Sequence, residues 1–201
     1  MKKYFNNKWW NILKYLFEEL EWKHTSLKIM DDVENRKLKV LPSTMDLFQR
    51  FNLINPEDVN VVFLTKFPMC TYKQSDEWQK LVVQMERECM DGLWLNSQDN
   101  MDYLIPSGVI HLSESLTINN KEEIYDWWHF NLRIINTLLN TGNKILFVSN
   151  EVNLTNAILH YNQNTYKYQI LPLEEGVFEK IDNFMQKEYN TLVNWRGDNN
   201  N

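Results

Sequence analysis

The sequence predicts an α/β protein: a three-layer sandwich with a mostly parallel, four-stranded central sheet and helices on both faces. Three observations carry this. The apolar, β-branched runs Val59–Leu64, Val109–Leu112 and Ile145–Val148 read as strands buried on both faces, and 166–171 supplies a fourth. Segments with apolar residues at helical spacing alternate with them, the pattern of parallel strands joined by helical crossovers. No repeat, linker or shift of composition divides the 201 residues, so residues 1–196 read as one domain, large enough to bury a full core. The tail Gly197-Asp-Asn-Asn-Asn201 reads as disordered.

In chain order, Trp9, Ile12, Leu13, Leu16, Phe17 and Leu20 mark an amphipathic helix over 7–22. Residues 23–36 read as polar and irregular. Leu38 and Val40 lead into Pro42, and Ser43-Thr-Met-Asp46 forms a capping box that opens a short helix through Phe51. Pro56-Glu-Asp58 is a turn before the first strand. Asp76 caps a helix whose buried face is Trp78, Leu81, Val82, Met85 and Cys89, ended by Gly92. Residues 93–103 read as a loop or short helix, and Pro106-Ser-Gly108 leads into the second strand. Ile124, Trp127, Trp128, Asn131, Ile135 and Leu138 mark a long helix closed by Gly142. Helices over 151–160 and 177–189 flank the fourth strand.

Composition narrows the function classes. The net charge is −6, and only Arg36, Arg50, Arg87, Arg133 and Arg196 are arginine. Both features argue against a protein that tracks phosphates with a basic stripe. Five glycines are few for a backbone that cradles phosphate or a flipped base. Cys70 and Cys89 make no zinc or redox spacing, and two cysteines suit a reducing compartment. With no secretory leader and no run of 18 apolar residues, the expectation is a cytoplasmic protein away from membranes. The Lys and Asn bias suits an AT-rich genome of viral or plasmid type. The 8 Trp, 10 Phe and 9 Tyr imply a ring-rich core, or rings on a protein-binding surface.

The first strand runs into Thr65-Lys-Phe-Pro-Met-Cys70. Ligands of open α/β sheets bind beyond the carboxyl ends of the strands, so the place suits an active site. Its residues do not, because they offer no carboxylate, imidazole or amide. Phe67 and Met69 read as apolar filler, Lys66 as a solvated lysine and Cys70 as a small buried hydrophobe. His111 lies within a strand and reads as a packed core histidine. Ser113 and Glu114 are the best polar pair left at a strand end. His24, His129 and His160 are isolated, so no metal and no cofactor are expected.

The order of these segments resembles the uracil-DNA glycosylase family. Leu41–Phe51 followed by Asp58–Leu64 is similar to its helix and first core strand. Thr65–Cys70 falls on its Gly-Gln-Asp-Pro-Tyr-His water-activating loop, and Gly108–Ile118 on its Gly-Val-Leu-Leu-Leu-Asn-Thr-x-Leu-Thr-Val segment. Trp128 fits the tryptophan of the following helix, Lys144–Asn150 the next strand, and Leu192-Val-Asn-Trp195 the terminal Pro-Ile-Asp-Trp. The resemblance spans roughly residues 38–195 and implies a glycosylase site stripped of its chemistry. The water-activating Asp falls on Phe67, which cannot take a proton. The pocket Tyr falls on Met69, and the uracil-reading Asn on Ser113, which lacks a two-sided amide. The His-Pro-Ser-Pro-Leu loop collapses to Pro172-Leu-Glu-Glu-Gly176, with Leu173 in the place of the wedge. Glu174 and Glu175 there would repel phosphates.

The resemblance therefore implies an inactive glycosylase-fold protein with a vestigial pocket at Lys66, Phe67, Met69, Cys70, Ser113 and Glu114. It would bind DNA weakly or not at all and work through another protein or a second copy of itself. Viral members of the family serve as structural partners of replication complexes, a role the resemblance permits. Trp10 and Trp127, on the tryptophan-rich helices, are the expected exposed anchors. The alternative is a divergent glycosylase, or a binder of a modified base, that uses a reshaped apolar pocket with Glu114 or Lys66. An acidic decoy of a DNA-binding protein is a weaker third.

Overall fold

A computed structural model describes residues 1–68, 76–89, 102–121, 123–150, 152–161 and 167–196. Its centre is a four-stranded sheet of β2 (Val61–Thr65), β3 (Val109–Ser113), β5 (Ile145–Ser149) and β6 (Tyr168–Leu171). The spatial order is β3-β2-β5-β6 and every pairing is parallel. All residues of β2, β3 and β5 are buried, as expected of strands covered on both faces. The expected α/β architecture is therefore present.

Side chains alternate across the sheet and feed two cores. Val62, Leu64 and Phe147 join Trp9, Phe48, Phe51, Phe130 and Ile134 on one face. That face is covered by α1 (Asn7–Leu13), α3 (Thr44–Leu53), α5 (Trp128–Leu139) and α6 (Val152–Tyr161). Phe63, Leu146 and Val148 join Leu81, Met85, Phe178, Ile181 and Trp195 on the other, under α4 (Asp76–Cys89) and α7 (Val177–Tyr189).

The amino-terminal third departs from the sequence reading. Asn6 caps α1 by accepting from Lys8 N at 3.1 Å and Trp9 N at 3.0 Å. That helix stops at Leu13, a 3₁₀ segment covers Lys14–Glu18, and α2 (Leu20–Glu34) occupies the stretch expected to be irregular. The reason lies in which face of α2 is buried. Thr25 and Asp32 are inside, while Leu20, Leu27, Met30 and Val33 are 64%, 61%, 51% and 45% exposed. Trp22 and Ile29 lie on the same inner side, packed partly buried against the first core, so apolar residues occupy both faces of the helix, unlike an ordinary surface helix.

A polar staple holds α2 in place. Asp32 accepts from Tyr125 Oη at 2.6 Å, Arg36 Nη1 at 2.6 Å and Asn119 Nδ2 at 3.2 Å. Arg36 also grips both oxygens of Glu123, at 3.1 and 3.2 Å. Asn119 belongs to a small antiparallel ribbon of β1 (Val40–Leu41) and β4 (Ile118–Asn119), which no sequence signal had indicated.

Two further corrections concern the expected anchors. The helix expected to open at Ile124 starts at Trp128, with Asp126 Oδ1 accepting from Trp128 N at 2.9 Å. Trp127 precedes it and is buried, its Nε1 donating to Thr117 Oγ1 at 2.7 Å. Trp127 is thus a core residue, because its ring packs among Trp22, Phe48 and Phe130 and its only donor is satisfied inside. Trp10 is half-buried and packs against Phe5 and Phe17. Ser43 caps α3 as expected, its Oγ accepting from Asp46 N at 3.3 Å.

Candidate functional site

The order β3-β2-β5-β6 reverses direction beside β2, so the crevice of this sheet opens between the carboxyl ends of β2 and β5. Parallel registry sets Thr65 beside Ser113, with Leu64 beside Ser149 and Val148 beside Leu171. Four loops converge there: Lys66–Pro68, Glu114–Ser115, Asn150 and Pro172–Gly176.

The loop after β2 hangs on a buried polar chain. Arg50, on α3, donates through Nη1 to the His111 carbonyl oxygen and lies 3.5 Å from His111 Nδ1. His111 Nε2 lies 2.6 Å from Thr65 Oγ1, which donates to the Phe67 carbonyl oxygen at 2.8 Å. Thr65 has a single proton, so His111 must donate from Nε2 and leave Nδ1 to accept. Burial, and then the Arg50 charge, hold the His111 pKa well below the ordinary imidazole value. His111 is the packed core histidine expected from its place in the strand, and it also supports the loop.

Phe67 is half-buried, with the Lys66 ammonium 5.5 Å from its ring centre, and Pro68 is buried. The loop is stitched to β3 by Glu114 N on the Thr65 carbonyl at 2.8 Å and Ser115 N on that of Lys66 at 3.2 Å. Met69 and Cys70 lie outside the described residues, as do Gly92, the side chain of Trp78 and the tail 197–201.

Ser113 is buried and spends its hydroxyl locally, donating to the Ser115 carbonyl at 2.8 Å. Glu114 is half-buried and accepts at Oε1 from Asn153 Nδ2, at 3.0 Å, from the start of α6. Asn131 of α5, fully buried, donates to the carbonyls of Ser113 and Glu114 at 2.8 and 2.9 Å. Ser113 and Glu114 thus sit together at the β3 end, with Asn131 and Asn153 behind them.

The loop after β6 is tied down. Asn150 makes two bonds to the Leu173 backbone, at 3.0 and 3.1 Å, and Gln84 donates to the Glu174 carbonyl. Glu88 accepts from Gly176 N at 2.7 Å and Phe178 N at 3.2 Å, a carboxylate at the start of α7. Leu173 packs partly buried on the second core. Glu174 and Glu175 are exposed, Glu174 paired with Lys180 at 2.7 Å. Asn131, Asn150, Asn153 and Arg50 are the site residues that sequence reasoning missed. A capping or bridging amide carries no local pattern in a chain so rich in Asn. Among the described residues no group of His, Cys, Asp and Glu is arranged to hold a metal ion.

A doubly wound parallel sheet with its crevice at the β2/β5 switch point defines the class: an open α/β sandwich. Its particular form is the uracil-DNA glycosylase fold. The crystal structure of mimivirus uracil-DNA glycosylase superposes with a TM-score of 0.74 over 95% of this chain and 87% of its own, at 13% identity. A point variant of that enzyme in complex with UGI superposes at 0.76 over 97% of this chain and 90% of its own, also at 13% identity. No family model and no curated protein matches the sequence. The fold is shared, and the sequence is strongly divergent.

Proposed function

We propose that this chain is a glycosylase-fold protein that no longer excises bases and acts through contacts with other proteins, as a structural or accessory component of a viral or phage nucleic-acid-processing complex. One observation carries the proposal. At the switch-point loop, where the fold's water-activating carboxylate is expected, stands Phe67. Its carbonyl is held by Thr65 and its ring lies beneath Lys66. An aromatic ring can neither accept a proton nor orient water. The exposed Glu174 and Glu175, at the loop that would meet a duplex, work against phosphate binding. The mimivirus complex with UGI is a protein-protein complex on this fold, which supports the idea that such a scaffold can serve as a binding surface.

The second reading is a divergent glycosylase or modified-base binder. It is favoured by Glu114, a half-buried carboxylate at the crevice steadied by Asn153. One assay separates the two. Duplexes carrying uracil or modified bases are incubated with the protein at low salt, with base release and retention both measured. We expect neither, in the wild type or in Glu114→Ala. Base release that Glu114→Ala abolishes would instead establish the second reading.

A further inference from the structure

Of the large apolar side chains that are exposed among the described residues, four lie on one helix, α2: Leu20, Leu27, Met30 and Val33. A surface helix normally buries such residues. Here a separate inner face already fastens the helix, with Trp22 and Ile29 packed on the first core, Asp32 in its staple and Thr25 Oγ1 donating to the Asp126 carbonyl at 2.7 Å. The helix is thus held in place while a second set of apolar side chains is turned to solvent.

The outer face has the spacing of a helix-pairing seam. Leu20, Lys23, Leu27, Met30 and Glu34 recur at alternating steps of three and four residues, the a and d positions of a heptad. All five are exposed. On and beside this seam the charges are segregated, with Lys23 in the amino-terminal half and Asp31 and Glu34 in the carboxyl-terminal half, while Glu21 and Lys28 lie at helical positions away from it. A parallel partner would set like charges side by side. An antiparallel copy of the same helix sets Leu27 against Met30 of the other copy, twice about a two-fold axis. Lys23 then faces Glu34 at both ends, with Asp31 alongside. A two-fold interface must be self-complementary in this way.

We propose that α2 is a self-association surface through which two copies of this chain pair antiparallel, with the Leu27–Met30 layers at the centre and Lys23–Glu34 pairs at the ends. This deepens the protein-binding reading by naming the partner, a second copy. A single helix of this length buries less than the ~800 Å² per partner of a standard interface, so the dimer is weak and reversible.

Sedimentation of the full chain over a range of concentrations tests it, with circular-dichroism melting to check folding. A reversible monomer–dimer equilibrium is expected, and Leu27→Glu should abolish it without lowering the melting temperature. Lys23→Glu and Glu34→Lys should each weaken the dimer by about 10-fold, since like charges then face each other, and the double variant should restore it. A wild type that stays monomeric at every concentration overturns the proposal. So does a dimer indifferent to Leu27→Glu, or charge variants that do not compensate. If Leu27→Glu fails to fold, the charge series decides. Sedimentation bears on this surface alone, and the base-release assay bears on the inactive reading alone.

Discussion

His111 shows how much one buried side chain organises at the crevice. It receives from Arg50, donates to Thr65, and through Thr65 fixes the backbone of Phe67. Burial and the Arg50 charge hold its pKa well down, so the folded protein keeps the ring neutral. The unfolded chain takes up a proton below about pH 6.5. Stability from this residue is therefore complete above that pH and declines as pH falls toward the folded value. The His111 ring resonances should show no protonation shift between about pH 7.5 and 5.5, and melting temperature should begin to drop over the lower part of that window. A His111 shift with a midpoint near that of a free imidazole would contradict the buried chain. Asp32 acts in a separate, more acidic window. The Tyr125 hydroxyl foremost, against the opposing cost of burial, and then Arg36 and Asn119 lower its pKa. Its contribution is present above the ordinary carboxylate range and lost as pH falls through the folded value.

At the scale of elements, β2 and β3 depend on one glycine. Gly108 sits at φ +77°, and a Cβ there would come within 2.8 Å of the Asp58 carbonyl oxygen and 2.7 Å of Asn60 Nδ2. Its own carbonyl accepts from Asn60 N and Val61 N at 2.8 and 3.1 Å, setting the registry that brings Thr65 beside Ser113. Gly108→Ala combines a strained backbone with a backbone clash and should cost about 1–3 kcal/mol, read from urea unfolding. The helices divide into two kinds. In α7, Phe178, Ile181 and Met185 meet the core at regular helical spacing, and its 177–189 span was legible in the sequence. In α2 the inner positions are Trp22, Thr25, Ile29 and Asp32, so polar residues interrupt the inward stripe and the segment reads as irregular.

For the whole molecule, the sheet should be the most protected part. Its central strands β2 and β5 are paired on both edges and buried on both faces. Amide exchange should be slowest at Val61–Leu64 and Leu146–Val148, and much faster in α2, whose inner face joins a polar staple to only two partly buried apolar side chains, Trp22 and Ile29. Exchange in α2 as slow as in β2 would show that the staple is part of the cooperative core. The carboxyl-terminal segment closes the same unit: Trp195 stacks edge-on against Phe178 at 4.8 Å, and its Nε1 lies 3.1 Å from both oxygens of Asp182.

The sequence alone determined the sheet and its sandwich class. Runs buried on both faces, such as Val61–Leu64, advertise themselves through unbroken hydrophobicity, and the alternation of strands and helices leaves few topologies. It also placed Phe67, Ser113 and Glu114 at strand ends. Tertiary structure alone decided what stands behind them, because Arg50, Asn131, Asn150 and Asn153 act through hydrogen bonds to groups distant in sequence. It also decided which tryptophan faces inward and which helix shows its apolar side to solvent. Local spacing says that a face is apolar. Only the packing of the rest of the chain says whether that face is covered.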